Sequence, residues 1–393
     1  MLKYFFKDNS KKKDLVCEEG VYIKQYGTKI SKELKVFYNP VMKLNRDISL
    51  LVIKSYFKDK EKKGGIVFCD PMVASGIREI RFLKTIPEMF KRLVLGDISL
   101  SAISNVKKNF KLNKVSLGKI ELLNQNAVNT INSNYFDFIE VDPFGTPVPF
   151  LDVACQKIKH NGILSVTATD TAALCGTYPK TTLRKYGINV RMTHFYAELG
   201  LRNLIAYVRR QGVKYDKVLT PIVSYSQDHY YKIFFRVEES RTKAVQVIKD
   251  LKYISWDKKS QEVKILDIEE EGALGKTYVG SLNDKDFLGE VMSNLDTRNQ
   301  KISGQFEQSS NSLIDDDKKI NKLLNKLIDE KDIVGYYNVS KVQKENKFQS
   351  HMKFENIISR LEEEGYEVSR PHNSGLGIKT NAPSDVFVKI LKE

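Results

Sequence analysis

The 393-residue chain carries 64 Lys and Arg against 49 Asp and Glu, a surplus of 15 positive charges with a pI near 9.3. Its length and its 41% hydrophobic, 29% charged composition describe two domains, each able to bury a core. No run approaches the ~18 apolar residues of a membrane span, the apolar part of MLKYFFKDNSKKKD is too short for a signal peptide, and Cys17, Cys69, Cys155 and Cys175 never form CxxC. A cytoplasmic protein with reduced thiols, no zinc knuckle and no disulfide framework is therefore expected. The charge surplus suits a polyanion, nucleic acid before anionic membrane, with a general basic bias of composition as the plainer alternative.

In chain order, VFYNPVMKLNRDISL brings Asn45-Arg46-Asp47 to the start of an apolar helix. From Gly65 to about Arg236, apolar strands alternate with helical stretches. GIVFCD, RLVLGD, KIELLNQ, FDFIEVD and GILSVTAT read as strands buried on both faces. SGIREIRFLKTI, SLSAISNVKKNFKLN, PVPFLDVACQKI and RMTHFYAELGLRNLIAYVRRQ read as the helices between and after them. VLTPIVSYSQDHYYKIFFRVEE then gives two extended runs with no helix between, an antiparallel hairpin at the sheet edge. This pattern predicts an α/β fold of the Rossmann-like, class I methyltransferase type, a mostly parallel seven-stranded sheet with a terminal antiparallel hairpin.

Beyond about Glu239 the composition shifts toward Lys, Glu, Asp and Asn. QFEQSSNSLIDDDKK, Gln305 to Lys319, reads as a solvated linker. Helices are expected around Asp284 to Asn294 and Asn321 to Glu330, and FENIISRLEEEGYEV reads as an amphipathic helix running into a strand. The division expected is 1–239 for the first domain with an N-terminal extension and 240–393 for a smaller, basic α/β domain.

Chemistry gathers at the strand ends. DPMVASGIREIR takes a strand ending at Asp70 through Ala74-Ser75-Gly76 into a helix carrying Arg78, a turn at which a ligand can approach backbone and helix N-terminus. It lacks GxGxxG, so no pyrophosphate cradle is indicated, and an ordinary strand-to-helix turn fits equally. RLVLGD ends at Asp97, followed by Ile98; an acid there can accept hydrogen bonds from both ribose hydroxyls or cap the next helix. Asn126-Ala127 follows the third strand, where an amide can read an adenine edge. These strand ends fit an adenosine without phosphate, as in S-adenosylmethionine. Arg46 either pairs with the methionine carboxylate of such a cofactor or is a solvated charge at a helix end.

The fourth strand delivers EVDPFGTP. A carboxylate and a neighbouring carbonyl can accept hydrogen bonds from a purine amino group, aim its lone pair and take a proton. In that reading Asp142 is the acid, Pro143 fixes the chain and Phe144 offers a stacking ring for an extruded base. A polar strand end followed by a turn is the alternative. TYPKTTLRKYG, Thr177 to Gly187, mixes bases with tyrosines as an RNA-contacting loop does, or as any basic loop does.

VFYNPVMKLNRD, DPMVASGIRE, VLGDISLSAI, EVDPFGTPVPFLD, TYPKTTLRKYG, AELGLRNL and GIKTNAP, in this order, resemble the archaeal tRNA guanine-N2 dimethyltransferases acting on position 26. The resemblance runs from about Gly20 to Pro383. It implies S-adenosylmethionine as cofactor, tRNA as partner, and transfer of one and then a second methyl group to guanine N2. It assigns cofactor contacts to Arg46, Arg78, Asp97 and Asn126-Ala127, with Asn where an acid is usual, and the catalytic acid to Asp142 beside Pro143 and Phe144. Many relatives carry a four-cysteine zinc site after the terminal hairpin. The corresponding stretch here, about Val247 to Gly275, has no cysteine, so no metal is expected, and packing of residues such as Trp256 would hold the segment. A monomer is expected, with the C-terminal domain gripping tRNA phosphates. Two other readings share these features: an adenine amino-methyltransferase on DNA or ribosomal RNA, for which an extra proline would be usual, and a non-catalytic RNA-binding module.

Overall fold

The computed structural model describes residues 15–24, 36–303, 311–348 and 352–392. These fall into two compact units. The first takes the described residues up to Val141 with Lys157–Ile163 and Glu290–Ile320; the second takes Asp142–Gln156, Leu164–Gly289 and those from Asn321 onward.

The first unit opens with an antiparallel hairpin, β1 (Leu15–Glu18) and β2 (Val21–Lys24). There follow α1 (Lys43–Tyr56), β3 (Ile66–Asp70), α2 (Ile77–Thr85), β4 (Phe90–Asp97), α3 (Leu100–Leu112), β5 (Ile120–Asn124), α4 (Ala127–Asn132) and β6 (Phe136–Val141). β3 pairs in parallel with β4 on one side and β6 on the other, Phe68 opposite Leu93 and Phe138. The core forms where those strands bring large rings together: Phe68 stacks on Phe138 at 5.3 Å and meets Phe82 and Phe90 edge-on. Burying each such ring contributes about 1.5–3 kcal/mol. Free backbone N–H groups on β2 are satisfied by α3, where the Asn113 and Asn109 side chains accept from Tyr22 and Lys24.

The chain continues with α5 (Val148–Lys157), β7 (Ile158–Ala168), whose first residues belong to the first unit, α6 (Thr171–Leu174), α7 (Pro179–Tyr186), α8 (Tyr196–Val213) and the hairpin β8 (Lys217–Gln227) to β9 (Tyr230–Glu239). Next come α9 (Arg241–Lys249), β10 (Leu251–Trp256), β11 (Val263–Leu266), β12 (Leu274–Tyr278), α10 (Lys285–Ser303) and α11 (Asn311–Asp329). The chain closes with β13 (Tyr337–Asn338), α12 (Val339–Glu345), α13 (Phe354–Glu363), β14 (Val368–Ser369), β15 (Gly377–Thr380) and α14 (Ser384–Lys392). Two small sheets, β11-β10-β12 and β13-β15-β14, lie in this part of the chain. Trp256 packs against a cluster of Val190, Phe195, Ile254, Leu274 and Tyr336, the packing role expected for it.

The seven-stranded sheet has the order β5-β4-β3-β6-β7-β9-β8. The order reverses between β3 and β6, and a doubly wound sheet binds its ligand at such a switch point, outside the carboxyl ends of the strands. Two stretches depart from the sequence reading. Asn311 to Lys319, expected as linker, belongs to α11; Ile320, Leu323, Leu324 and Leu327 are buried at helical spacing, and the helix they nucleate extends back through the charged run. The rest of that stretch, 305–310, lies outside the described residues. α8 starts at Tyr196, not near Arg191, because His194 is buried against Tyr336 and Trp256 instead of turning with the helix.

Candidate active site

β3 ends at Asp70, which is buried and whose Oδ1 accepts the Met72 N–H at 2.8 Å. Glu79 on α2 is buried beside it. Two carboxylates have no donor between them, so this pair retains a proton: burial and the Asp70 charge push the Glu79 carboxyl well above its ordinary range. Asp70 itself is pushed up to about 6, its burial outweighing the attraction of Arg78. Arg78 is spent within the unit, donating to Asn45 Oδ1 and Ser49 Oγ at 3.0 Å each and pairing with Glu140 at 3.3 Å.

Between β3 and α2 the chain makes a tight turn, with the Gly76 N–H donating to the Val73 carbonyl at 2.9 Å. Ala74 and Gly76 both adopt left-handed backbone, φ 49° and 73°. For alanine that conformation is strained and needs outside support. Asp97 gives it: Oδ2 accepts the Ala74 N–H at 3.0 Å, while Oδ1 accepts that of Ser99 at 2.8 Å. The Ser75 carbonyl is held by Asn109 at 2.9 Å. Asp97 is thus fixed between two strand ends, with a further lone pair on each oxygen. Burial raises its pKa against those two N–H bonds.

Ile98, immediately beyond, is an apolar side chain 78% exposed, the kind of surface that covers a flat ring. Ser99 caps α3, so the cap and the candidate ribose acid are separate residues. Asn126 caps α4, its Oδ1 accepting the Asn129 N–H at 2.8 Å, and Ala127 opens that helix. Gly96 admits α4 closely, since a β-carbon there would lie 2.3 Å from Thr130 Oγ1.

Arg46 sits elsewhere than a solvated helix end. Its Nε donates to Glu18 Oε1 at 2.7 Å, its Nη2 closes a second bond to Glu18 Oε2, and it lies over the Tyr38 ring. Arg81 donates to the same Glu18 at 2.7 Å and to Asp47. Burial of Glu18 opposes ionisation, but the two guanidinium groups hold its pKa below the usual range. A carboxylate of the N-terminal hairpin therefore takes the Nε edge of Arg46, and its Nη2 also donates to the Asn39 carbonyl at 3.2 Å.

β6 ends at Val141, and Asp142-Pro143-Phe144 follow directly. Asp142 is partly buried, Pro143 buried and Phe144 51% exposed. The loop is clamped at Gly145, φ 82°: its N–H donates to Thr169 Oγ1 at 2.7 Å, and its carbonyl accepts the Thr169 and Asp170 N–H groups at 3.0 and 3.1 Å. Thr146 shares a hydrogen bond of 2.8 Å with the Tyr186 hydroxyl, and Lys185 pairs with Asp170 at 2.8 Å.

Strand ends β3, β4 and β5 thus bring together Asp70, Ser75, Gly76, Asp97, Ile98 and Asn126-Ala127, whereas Arg46 and Arg78 are engaged by carboxylates of the chain itself. Sequence reasoning missed Glu18, Glu140, Thr169, Asp170 and Tyr186. For Glu140 a signal existed, an acid inside an apolar strand two residues before Asp142; for Glu18, 28 residues from Arg46, none did.

A doubly wound sheet closed by an antiparallel hairpin, with an acid holding the first strand-to-helix turn, is the class I methyltransferase fold. Comparison narrows this: over residues 17–392 the chain matches, and belongs to, the N2,N2-dimethylguanosine tRNA methyltransferase family. It is 34% identical over 376 residues to a tRNA (guanine(26)-N(2))-dimethyltransferase of Methanococcus maripaludis, covering 93% of this chain and 94% of the relative. The enzyme of that name from Archaeoglobus fulgidus is 33% identical over 368 residues, 91% and 95% of the two chains. Trm1 from Pyrococcus horikoshii, solved in complex with S-adenosyl-L-methionine, superposes with a TM-score of 0.82 at 30% identity, over 96% of this chain and 100% of that one.

Proposed function

We propose that this protein transfers one and then a second methyl group from S-adenosylmethionine to the exocyclic N2 of guanine 26 in tRNA. One observation carries the catalytic part: Asp142 stands one residue past the switch-point strand β6, in a loop clamped through Gly145. The residues present fit the cofactor. Asp97 is fixed with lone pairs to spare for a ribose, Ile98 offers an exposed apolar face, and a strained Ala74 turn is maintained beside both. Arg46, Asp70, Ser75, Gly76, Arg78, Asn126 and Ala127 complete the proposed set, Asn126 accepting through the second lone pair of its capping oxygen.

When bound, S-adenosylmethionine supplies an electrophilic methyl group. The guanine amino nitrogen is a poor nucleophile, because its lone pair is delocalised into the ring. Asp142 accepts a hydrogen bond from one N–H and the Pro143 carbonyl from the other, which draws the nitrogen toward tetrahedral geometry. Asp142 takes the proton released as the N–C bond forms. Phe144 stacks on the base drawn out of its helix. A second round requires that S-adenosylhomocysteine be replaced by a fresh S-adenosylmethionine and that the monomethylated amine rotate its remaining N–H onto Asp142.

The rest of the reading assigns 1–239 to catalysis and 240–393 to gripping tRNA, as a boundary of function; the second part was expected to be basic but carries 25 Lys and Arg against 26 Asp and Glu, so the positive surplus lies in 1–239. The reading makes the protein a cytoplasmic monomer; among the described residues no helix is long and apolar enough to cross a membrane. The test is Asp142→Ala. Methyl transfer should fall at least ~100-fold, with S-adenosylmethionine affinity by calorimetry unchanged; a variant that instead loses cofactor affinity shows the role to be misassigned.

A further inference from the structure

Between Thr171 and Ala197 the chain has four Lys and Arg and no Asp or Glu. α7 lies inside this stretch and has two different sides. Its inner side is Thr182 and Tyr186, both buried. Tyr186 bonds the catalytic loop at Thr146, Lys185 bonds Asp170 where that loop is clamped, and Arg210 donates to the Tyr186 carbonyl at 2.6 Å. The helix and the loop carrying Asp142 are therefore one mechanical piece.

The outer side combines charge with exposed apolar surface. Lys180 and Arg184, four residues apart and so on one side of the helix, are exposed and have no carboxylate partner among the described residues. Beside them stand two large apolar side chains in the open, Tyr178 at 59% and Leu183 at 58% exposure. Unpaired exposed cations occur elsewhere among the described residues, as at Lys62, Lys107 and Lys258; what marks this face is that its cations stand beside Tyr178 and Leu183 on a helix bonded to the Asp142 loop. Unneutralised cations interleaved with an aromatic ring match a nucleic-acid strand, where phosphates alternate with bases that stack. An acidic protein surface would match the charges but leave Tyr178 without a planar partner.

We propose that the outer face of α7, Tyr178, Lys180, Leu183 and Arg184, is the docking rim for the RNA strand flanking the methylated guanosine. Lys180 and Arg184 hold consecutive phosphates, and Tyr178 stacks on a neighbouring base. Because α7 is bonded to the Asp142 loop, a strand held there is held in register with the acid. This rests on the proposed tRNA methylation and adds where that substrate is held.

The test uses the full chain and an unmodified tRNA transcript, with binding followed by fluorescence anisotropy between 50 and 300 mM salt. For Lys180→Ala/Arg184→Ala the slope of log K against log salt should shrink by about 1.5, two phosphate contacts at ~0.7–0.9 each. Tyr178→Ala should weaken binding at least ~5-fold with the slope unchanged. S-adenosylmethionine affinity should be that of the wild type in both variants, and Lys180→Arg/Arg184→Lys should keep the full slope. An unchanged slope in the double alanine variant overturns the proposal, as does parallel loss of cofactor affinity. If instead the wild-type protein fails to methylate tRNA at all, it is the underlying function that fails.

Discussion

His194 shows how a buried side chain outside the candidate site sets a pH response. Its Nδ1 accepts the Trp256 Nε1–H at 2.9 Å, so its Nε2 carries the proton and donates to the Tyr336 carbonyl. Burial pushes the imidazole pKa down to about 4, against a weaker pull upward from that carbonyl. The unfolded chain takes up a proton near pH 6.5, whereas the folded one resists until about 4. The stabilisation is therefore complete above pH 6.5 and is lost as pH falls through 4, a change of about 3 kcal/mol. In urea unfolding at pH 7 and pH 4, the wild type should lose about that much more than His194→Gln, whose amide can make both bonds without titrating. Equal losses would show that His194 ionises freely in the fold.

At the scale of elements, the proposed cofactor site depends on how closely α4 approaches β4. Gly96→Ala places a β-carbon 2.3 Å from Thr130 Oγ1 and 2.8 Å from its Cγ2. Overpacking of this kind costs about 1–3 kcal/mol, and here it separates Asp97 from Asn126. Calorimetry should show S-adenosylmethionine affinity reduced at least ~10-fold with the helical content retained; unaltered affinity would mean that α4 takes no part in the site. Strands β3, β4, β6 and β7 were legible because parallel strands buried on both faces read as unbroken apolar runs; β5 is the sheet-edge strand and has no buried residue, so the expected burial on both faces fails there. β1, β2 and the small strands β10 to β13 and β15 were not legible, while β14 begins at the end of FENIISRLEEEGYEV, where a strand was expected. The strands missed are two to six residues long, too short for an alternating pattern to show, and β12, β13 and β15 find their partners at a distance in the chain. The charged run ahead of Ile320 was misread for a related reason: a helix anchored by apolar residues on one segment propagates through a polar one.

For the molecule as a whole, the strand-end acids were legible because topology gathers residues that sequence already spaces at strand ends. What Arg46 and Arg78 touch was not, since Glu18 and Glu140 reach them only in the fold. The surplus of 15 positive charges fits a partner as large and as charged as tRNA. The central claim concerns the atom that receives the methyl group. It is tested by incubating the protein with isotopically labelled S-adenosylmethionine and unmodified tRNA, digesting the RNA and identifying the labelled nucleosides by mass spectrometry. The account predicts N2-methylguanosine early and N2,N2-dimethylguanosine later, both lost when guanine 26 is replaced by adenine. Labelled methyladenosine, or no label in any tRNA, would contradict it.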